Sequence, residues 1–131
     1  MPKPLKTVRR ERAARLTTRE RIAREVTEAE LQANVIKLAE ALGYVVIHVR
    51  DSRRKMVEGL PDLTIGRKDP PRLLYAELKR EAAGGRHTDL TPWQELWRAI
   101  ILGAGNEWYL WRPSDWLSGE IERVLRKVRE P

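Results

Sequence analysis

Apolar and polar positions repeat along this chain with two different periods. Between Thr27 and Gly43, residues Leu31, Val35, Leu38, Ala39 and Leu42 fall at helical spacing. Thr27 with Glu30 three places on reads as a capping box that opens this helix, and Gly43 stops it. The period then shortens. Tyr44 to Val49, YVVIHV, is short and β-branched and predicts a strand, buried on the face of Val45, Ile47 and Val49, with His48 and Arg50 sharing the other face with Tyr44 and Val46. Two more strands are expected either side of Gly66-Arg67-Lys68-Asp69-Pro70-Pro71, whose two prolines mark a turn and so predict a hairpin. In the second of these, Leu74, Ala76 and Leu78 point to one face and Glu77 and Lys79 to the other. Thr91 caps and Pro92 opens another helix, with Trp93, Trp97 and Ile100 or Ile101 along one side. Asn106 to Trp111 is a final strand, and Pro113 to Trp116 turns into a closing helix from Ile121 to Val128. Helix, strand, strand, strand, helix, strand, helix is the element order of an α/β domain.

Ahead of this pattern the chain changes character. Residues 7 to 25 are rich in Ala, Arg and Glu with no Gly or Pro after Pro4, which predicts a helix interrupted near Thr17-Thr18. Its apolar positions, Val8, Leu16 and Ile22, are too sparse for a strong core face, so it is expected to order on a partner. Charge follows the same boundary. Residues 1 to 25 hold nine Lys or Arg against three Glu, and residues 26 to 131 hold seventeen against sixteen, so nearly all of the net +7 lies in the arm. Such an arm suits phosphate binding, because each neutralised phosphate releases counterions; a solvated tail has the same composition.

A chain of 131 residues fits one domain, here 26 to 131 preceded by the basic arm 1 to 25. With no cysteine, a disulfide framework and a thiolate zinc site are both excluded. No run of 18 apolar residues occurs, and MPKPLKTVRR lacks the apolar segment of a signal peptide, so a soluble cytoplasmic protein with no membrane partner is expected. No Gly-rich phosphate loop, Ser-His-Asp set or His-rich metal motif is present. Five Trp and no Phe is an unusual balance; the Trp residues fall in amphipathic elements and are read mostly as core rather than as base-stacking platforms.

Candidate chemistry gathers between Gly59 and Arg80, GLPDLTIGRKDPPRLLYAELKR. Pro61 suits the first position of a strand because it donates no ladder hydrogen bond, and Asp62 follows it directly. Asp62 and Glu77 on paired strands would converge on one point. Magnesium favours such a site, with one or two carboxylates and room for water and phosphate oxygens. Lys79 beside them could hold a phosphate oxygen or position an attacking water. Taken singly, the same residues are an Asp at a turn and a Glu and a Lys on a solvated strand face.

Taken together, Asp62 after Pro61 and the Glu77-Leu78-Lys79 that closes an apolar strand resemble the PD-(D/E)xK nuclease signature. Within that superfamily the match is to the VRR-NUC domain, in which a Gly-x-Pro-Asp, a strand ending Glu-x-Lys and a Gln on the next helix recur. Here those are Gly59-Leu60-Pro61-Asp62, Glu77-Leu78-Lys79 and Gln94, and the resemblance spans roughly Glu28 to Leu125. It implies a restriction-endonuclease-like core, a mixed sheet flanked by helices in the order αβββαβ. It also implies a metal-dependent DNA endonuclease. Asp62 and Glu77 would bind Mg²⁺ or Mn²⁺ with the backbone carbonyl of Leu78 and, further out, Glu28; Lys79 would orient the nucleophile and Gln94 support it. Stand-alone members resemble junction-resolving nucleases that pair as dimers, so a homodimer on branched DNA, bacterial or phage-encoded, is the expected assembly. A non-catalytic nucleic-acid-binding module on the same fold, or a subunit active only with a partner, are the alternatives.

Neighbouring residues carry two readings each. Glu28 lies on the inward stripe at the helix start, where it could face the cleft or simply favour the helix dipole. Gln32, one turn on, could contact substrate or pack. A lone His such as His48 is more often structural than catalytic. Arg50, Arg53, Arg54 and Lys55 crowd a loop just ahead of Asp62, suited to holding flanking phosphates or to plain solvation. Glu81 to Thr91 is glycine-rich and polar, a loop that could close over substrate with Arg86 and His87, or an inert connector.

Overall fold

The computed structural model describes residues 17–48, 58–81 and 90–128. Two helices come first, α1 (Thr18–Glu25) and α2 (Glu28–Ala41), each opened by a threonine. The Thr17 hydroxyl accepts from the Glu20 N–H; the Thr27 hydroxyl accepts from the Glu30 N–H and donates to the Glu30 carboxylate, each at 3.1 Å. Both caps satisfy N–H groups that a helix start leaves unpaired. Then follow β1 (Val45–His48), β2 (Leu63–Arg67), β3 (Arg72–Leu78), α3 (Pro92–Gly103), β4 (Glu107–Trp111), α4 (Pro113–Leu117) and α5 (Glu120–Arg126). The closing helix is therefore two short ones, broken at Gly119, whose φ of +84° suits glycine.

The sheet runs β1-β2-β3-β4, with β1/β2 and β2/β3 antiparallel and β3/β4 parallel. Because β3 and β4 are parallel, the chain must cross over between them, and α3 makes the crossing. One face of this mixed sheet is the core. Leu63 and Ile65 of β2, Leu74, Ala76 and Leu78 of β3 and Trp111 of β4 are buried there against Leu31, Val35 and Ala39 of α2 and Ile121, Val124 and Leu125 of α5. Each fully buried Leu or Ile contributes about 1.5–3 kcal/mol through removal from water, so this layer holds the domain together.

A buried cation fastens the far end of that layer. Arg72, at the start of β3, donates to both Glu107 oxygens at 2.9 Å, to the Tyr44 hydroxyl at 3.0 Å and to the Val124 carbonyl at 2.7 Å. Tyr44 in turn donates to the Leu125 carbonyl at 2.8 Å. Strands β3 and β4 and helix α5 are thus tied through one guanidinium, whose planar fork matches a carboxylate.

Three expectations are corrected. In β1 the faces are exchanged: Tyr44 is buried and Val46 and His48 half-buried, while Val45 and Ile47 are 72% and 67% exposed. The β1/β2 register sets Val46 beside Ile65 and His48 beside Leu63, both core positions, whereas α3 crosses to β4 and, among the described residues, leaves the other face of β1 uncovered. Among the tryptophans only Trp111 is fully buried; Trp97, Trp108 and Trp116 are half-buried and Trp93 is 51% exposed. In α1 the side chain that packs is Ala23, not Ile22, and it does so against α4 within the same chain. Val49, Arg50, Arg53, Arg54, Lys55, Arg86 and His87, with the arm before Thr17, lie outside the described residues. Among the described residues no helix is long and apolar enough to cross a membrane.

Candidate active site

The site grows from the β2/β3 register. Leu63 pairs with Ala76, so one step further Asp62 stands opposite Glu77, both on the face away from the core. Pro61, just before, is buried and hands Asp62 into the strand without an unused N–H. The Asp62 Oδ2 accepts the Leu78 N–H at 2.7 Å, so backbone fixes one carboxylate. A helix fixes the other. Gln94 Nε2 donates to Glu77 Oε1 at 2.9 Å, and the Gln94 carbonyl oxygen accepts the Thr91 N–H at 3.0 Å. The Thr91 hydroxyl accepts the Gln94 N–H at 3.2 Å, completing a reciprocal capping box.

Gly59 brings these parts within reach of each other. Its φ is +81°, and a Cβ placed there would lie 2.5 Å from the Trp93 backbone carbon. Only glycine lets the loop entering Asp62 touch the first turn of α3, where Gln94 sits.

Electrostatics mark the pair out. Glu77 is only 4% exposed, and its pKa is pushed up to about 8, first by burial, then by the Asp62 charge and a hydrogen bond with Asp62, and to a smaller degree by the Glu28 charge. Asp62 is also raised by burial, opposed by the Leu78 N–H, the hydrogen bond from Glu77 and the Lys79 charge. The two carboxyls therefore titrate as a coupled pair, each held above its ordinary range. Lys79 follows β3 directly, half-buried, its N–H donating to the Trp111 carbonyl at 3.0 Å so that the ladder holds it in place. Its charge is the counterweight to both acids.

Of the residues singled out from sequence, Asp62, Glu77, Lys79 and Gln94 come together. Glu28 opens α2 as an exposed residue whose charge reaches Glu77, so a third carboxylate borders the pair. Leu78 meets the site through its N–H. Among the described residues no group of three or more His, Asp or Glu side chains is arranged to hold a metal ion. What is present is a pair of carboxyl groups facing each other, each raised by burial, with Lys79 beside them. That donor set fits a hard cation that takes few protein ligands and fills its shell with water and phosphate oxygens. The hold of Gln94 on Glu77 was missed as a contact, although its signal was the Thr91-x-x-Gln94 spacing.

The likeness to solved structures agrees with this architecture. A chain described as a VRR_NUC domain superimposes with a TM-score of 0.58 at 18% sequence identity, covering 78% of this chain and 97% of that one. The shared fold is a four-stranded mixed sheet flanked by helices. Neither a protein-family model nor a curated protein matches the chain.

Proposed function

We propose that this chain is a metal-dependent DNA endonuclease of the VRR-NUC type with a PD-(D/E)xK site. The observation that carries the reading is the Asp62–Glu77 pair, set opposite one another by the β2/β3 register, with Lys79 following and the fold of a VRR_NUC domain around it. Asp62 and Glu77 would hold Mg²⁺ or Mn²⁺, joined by the Leu78 carbonyl, with Glu28 acting from outside. Bound there, the metal would lower the pKa of a water and offset charge on the phosphate. Lys79 supplies the remaining positive charge, orienting the attacking water or holding a phosphate oxygen. Gln94 keeps the Glu77 carboxylate turned toward Asp62.

Supporting a homodimer on branched DNA is the uncovered sheet face. Val45, Ile47 and Leu73 are exposed there around an open groove of about 450 Å³ that Thr64 and Gly66 also line. An apolar face of this kind is what a second copy would cover.

The test is cleavage of a matched panel of single-stranded, duplex, flap and four-way-junction DNA with Mg²⁺, Mn²⁺ or EDTA, with Glu77→Ala run beside the native protein. Metal-dependent cutting that the substitution abolishes is the expected result, and the preferred substrate identifies the task. Binding without any cutting would overturn the enzyme in favour of a nucleic-acid-binding module or of a subunit that needs a partner.

A further inference from the structure

We propose that His48, steered by Gln32, donates a hydrogen bond to a backbone phosphate of a DNA strand lying across the carboxylate end of the sheet; this rests on the nuclease reading above. The exchanged faces of β1 are the starting point. His48 lies on the core-facing side of the sheet in register with Leu63, one residue from Asp62. The neighbouring positions on that side, Leu63, Ile65, Leu74, Ala76 and Leu78, are apolar and buried. His48 is a half-buried polar residue in an apolar row, and it ends the strand at the carboxylate end of the sheet. Departures of this kind from a local rule concentrate at functional positions.

Its partner comes from α2. Gln32 Nε2 lies 3.5 Å from His48 Nδ1, at the long end of hydrogen bonding. An amide nitrogen donates, so the contact uses Nδ1 and leaves Nε2 for a further partner. No second partner of His48 occurs among the described residues, and the residue is only partly buried. Gln32 is one turn beyond Glu28 on the same stripe of α2, and the Glu28 charge is felt at Glu77. The end of β1 thus presents a ring donor held by α2, one strand position from Asp62 and on the opposite face of the sheet from the acids, where a strand passing the end of the sheet can meet it. A phosphate oxygen is the acceptor this donor suits, since an anionic partner strengthens the bond.

Two substitutions separate this role from packing. His48→Leu fills the apolar row and removes the donor; His48→Gln keeps an N–H donor of similar reach. Affinity for a fluorescent DNA of the best-bound shape is measured in a Glu77→Gln background, which needs no cleavage, and KM and kcat are measured with Glu77 intact. Expected is a roughly tenfold weaker affinity for His48→Leu, the size of one hydrogen bond to a charged group. The thermal midpoint should be unchanged or higher, KM raised by a similar factor, and kcat altered less than twofold. His48→Gln should recover most of the loss, and Gln32→Leu should show a smaller loss in the same direction. If His48→Leu binds and cuts like its parent, the contact does not exist. Binding without cutting in the native protein would sink the nuclease reading while the affinities still judge His48; no DNA binding by any variant would overturn both.

Discussion

Gln94 spans the gap between a helix start and a strand end: its Nε2 donates to Glu77 Oε1 at 2.9 Å while its Oε1 accepts the Thr91 N–H at 3.0 Å. One side chain therefore both caps α3 and sets the rotamer of a buried acid. Gln94→Leu removes both functions. The cap loss should lower stability by about 1 kcal/mol, read from urea unfolding. Cleavage should fall by more than stability accounts for, because Glu77 is left with an unguided carboxylate. Gln94→Glu keeps the cap acceptor but sets a second acid against Glu77, so it should retain the unfolding midpoint better than the leucine variant and still cut poorly. Equal activity in all three proteins would separate α3 from the chemistry.

The raised acids make a prediction about pH. Glu77 titrates near pH 8 in the folded protein, above the ordinary glutamate value of about 4.3 expected when unfolded. Between those values the folded state binds more protons than the unfolded one, so stability falls as pH rises and the loss is complete above about pH 8. Below the ordinary value both states are protonated and the effect vanishes. Asp62 is shifted in the same direction and adds to it. In EDTA, the thermal midpoint should drop from pH 5.5 to 8.5, and the drop should be much smaller in Glu77→Gln. Mg²⁺ should raise the midpoint more at pH 8.5 than at 5.5, because it takes the place of the proton. Parallel midpoint curves for the native and Gln proteins would contradict the raised value.

Strand parity made much of this arrangement legible in the sequence. With period two, Glu77 must share a side with Lys79 and oppose Leu78, and the Pro61-Asp62 entry fixes where β2 begins. Helix starts were legible too, since Thr27 and Thr91 cap through their own hydroxyls. The orientation of β1 was not. In YVVIHV alternation favours the Val45, Ile47 and Val49 face because His48 lies on the other, but the outcome is decided by where α2 and α3 lie. Arg72 was invisible for another reason: its partners Tyr44, Glu107 and Val124 are 28, 35 and 52 positions away, a distance no local pattern reports.

Gly59 offers a test of positioning without touching a polar group. Gly59→Ala meets both a φ of +81° and the Trp93 backbone at 2.5 Å, and backbone cannot swing aside as a side-chain tip can. Strain of about 1–3 kcal/mol is expected, with a lower thermal midpoint. Since the loop leads into Asp62 and the helix carries Gln94, relief of that strain must move one acid's support against the other's. Cleavage should fall in Gly59→Ala even at temperatures where the protein is fully folded by circular dichroism. Unchanged kcat in folded Gly59→Ala protein would mean that the two supports are set independently.

The uncovered face of β1 makes the oligomeric state testable. Ile47 is 67% exposed and lines both the groove with Val45 and Leu73 and an adjoining cavity of about 270 Å³ with Pro61, Tyr75 and Trp97. A stable pairing covers about 800 Å² on each partner, and charge at the centre of such a contact is strongly disfavoured. Ile47→Lys should therefore convert a dimer to a monomer in sedimentation velocity at tens of micromolar protein. Its own fold should be intact, because a side chain already in solvent gives up little packing when exchanged for lysine. If the dimer is what aligns two sites on a junction, the variant should lose paired incisions on four-way DNA while keeping single cuts on simpler substrates. A native protein that sediments as a monomer throughout would remove the second copy from the reading and leave the face to another partner.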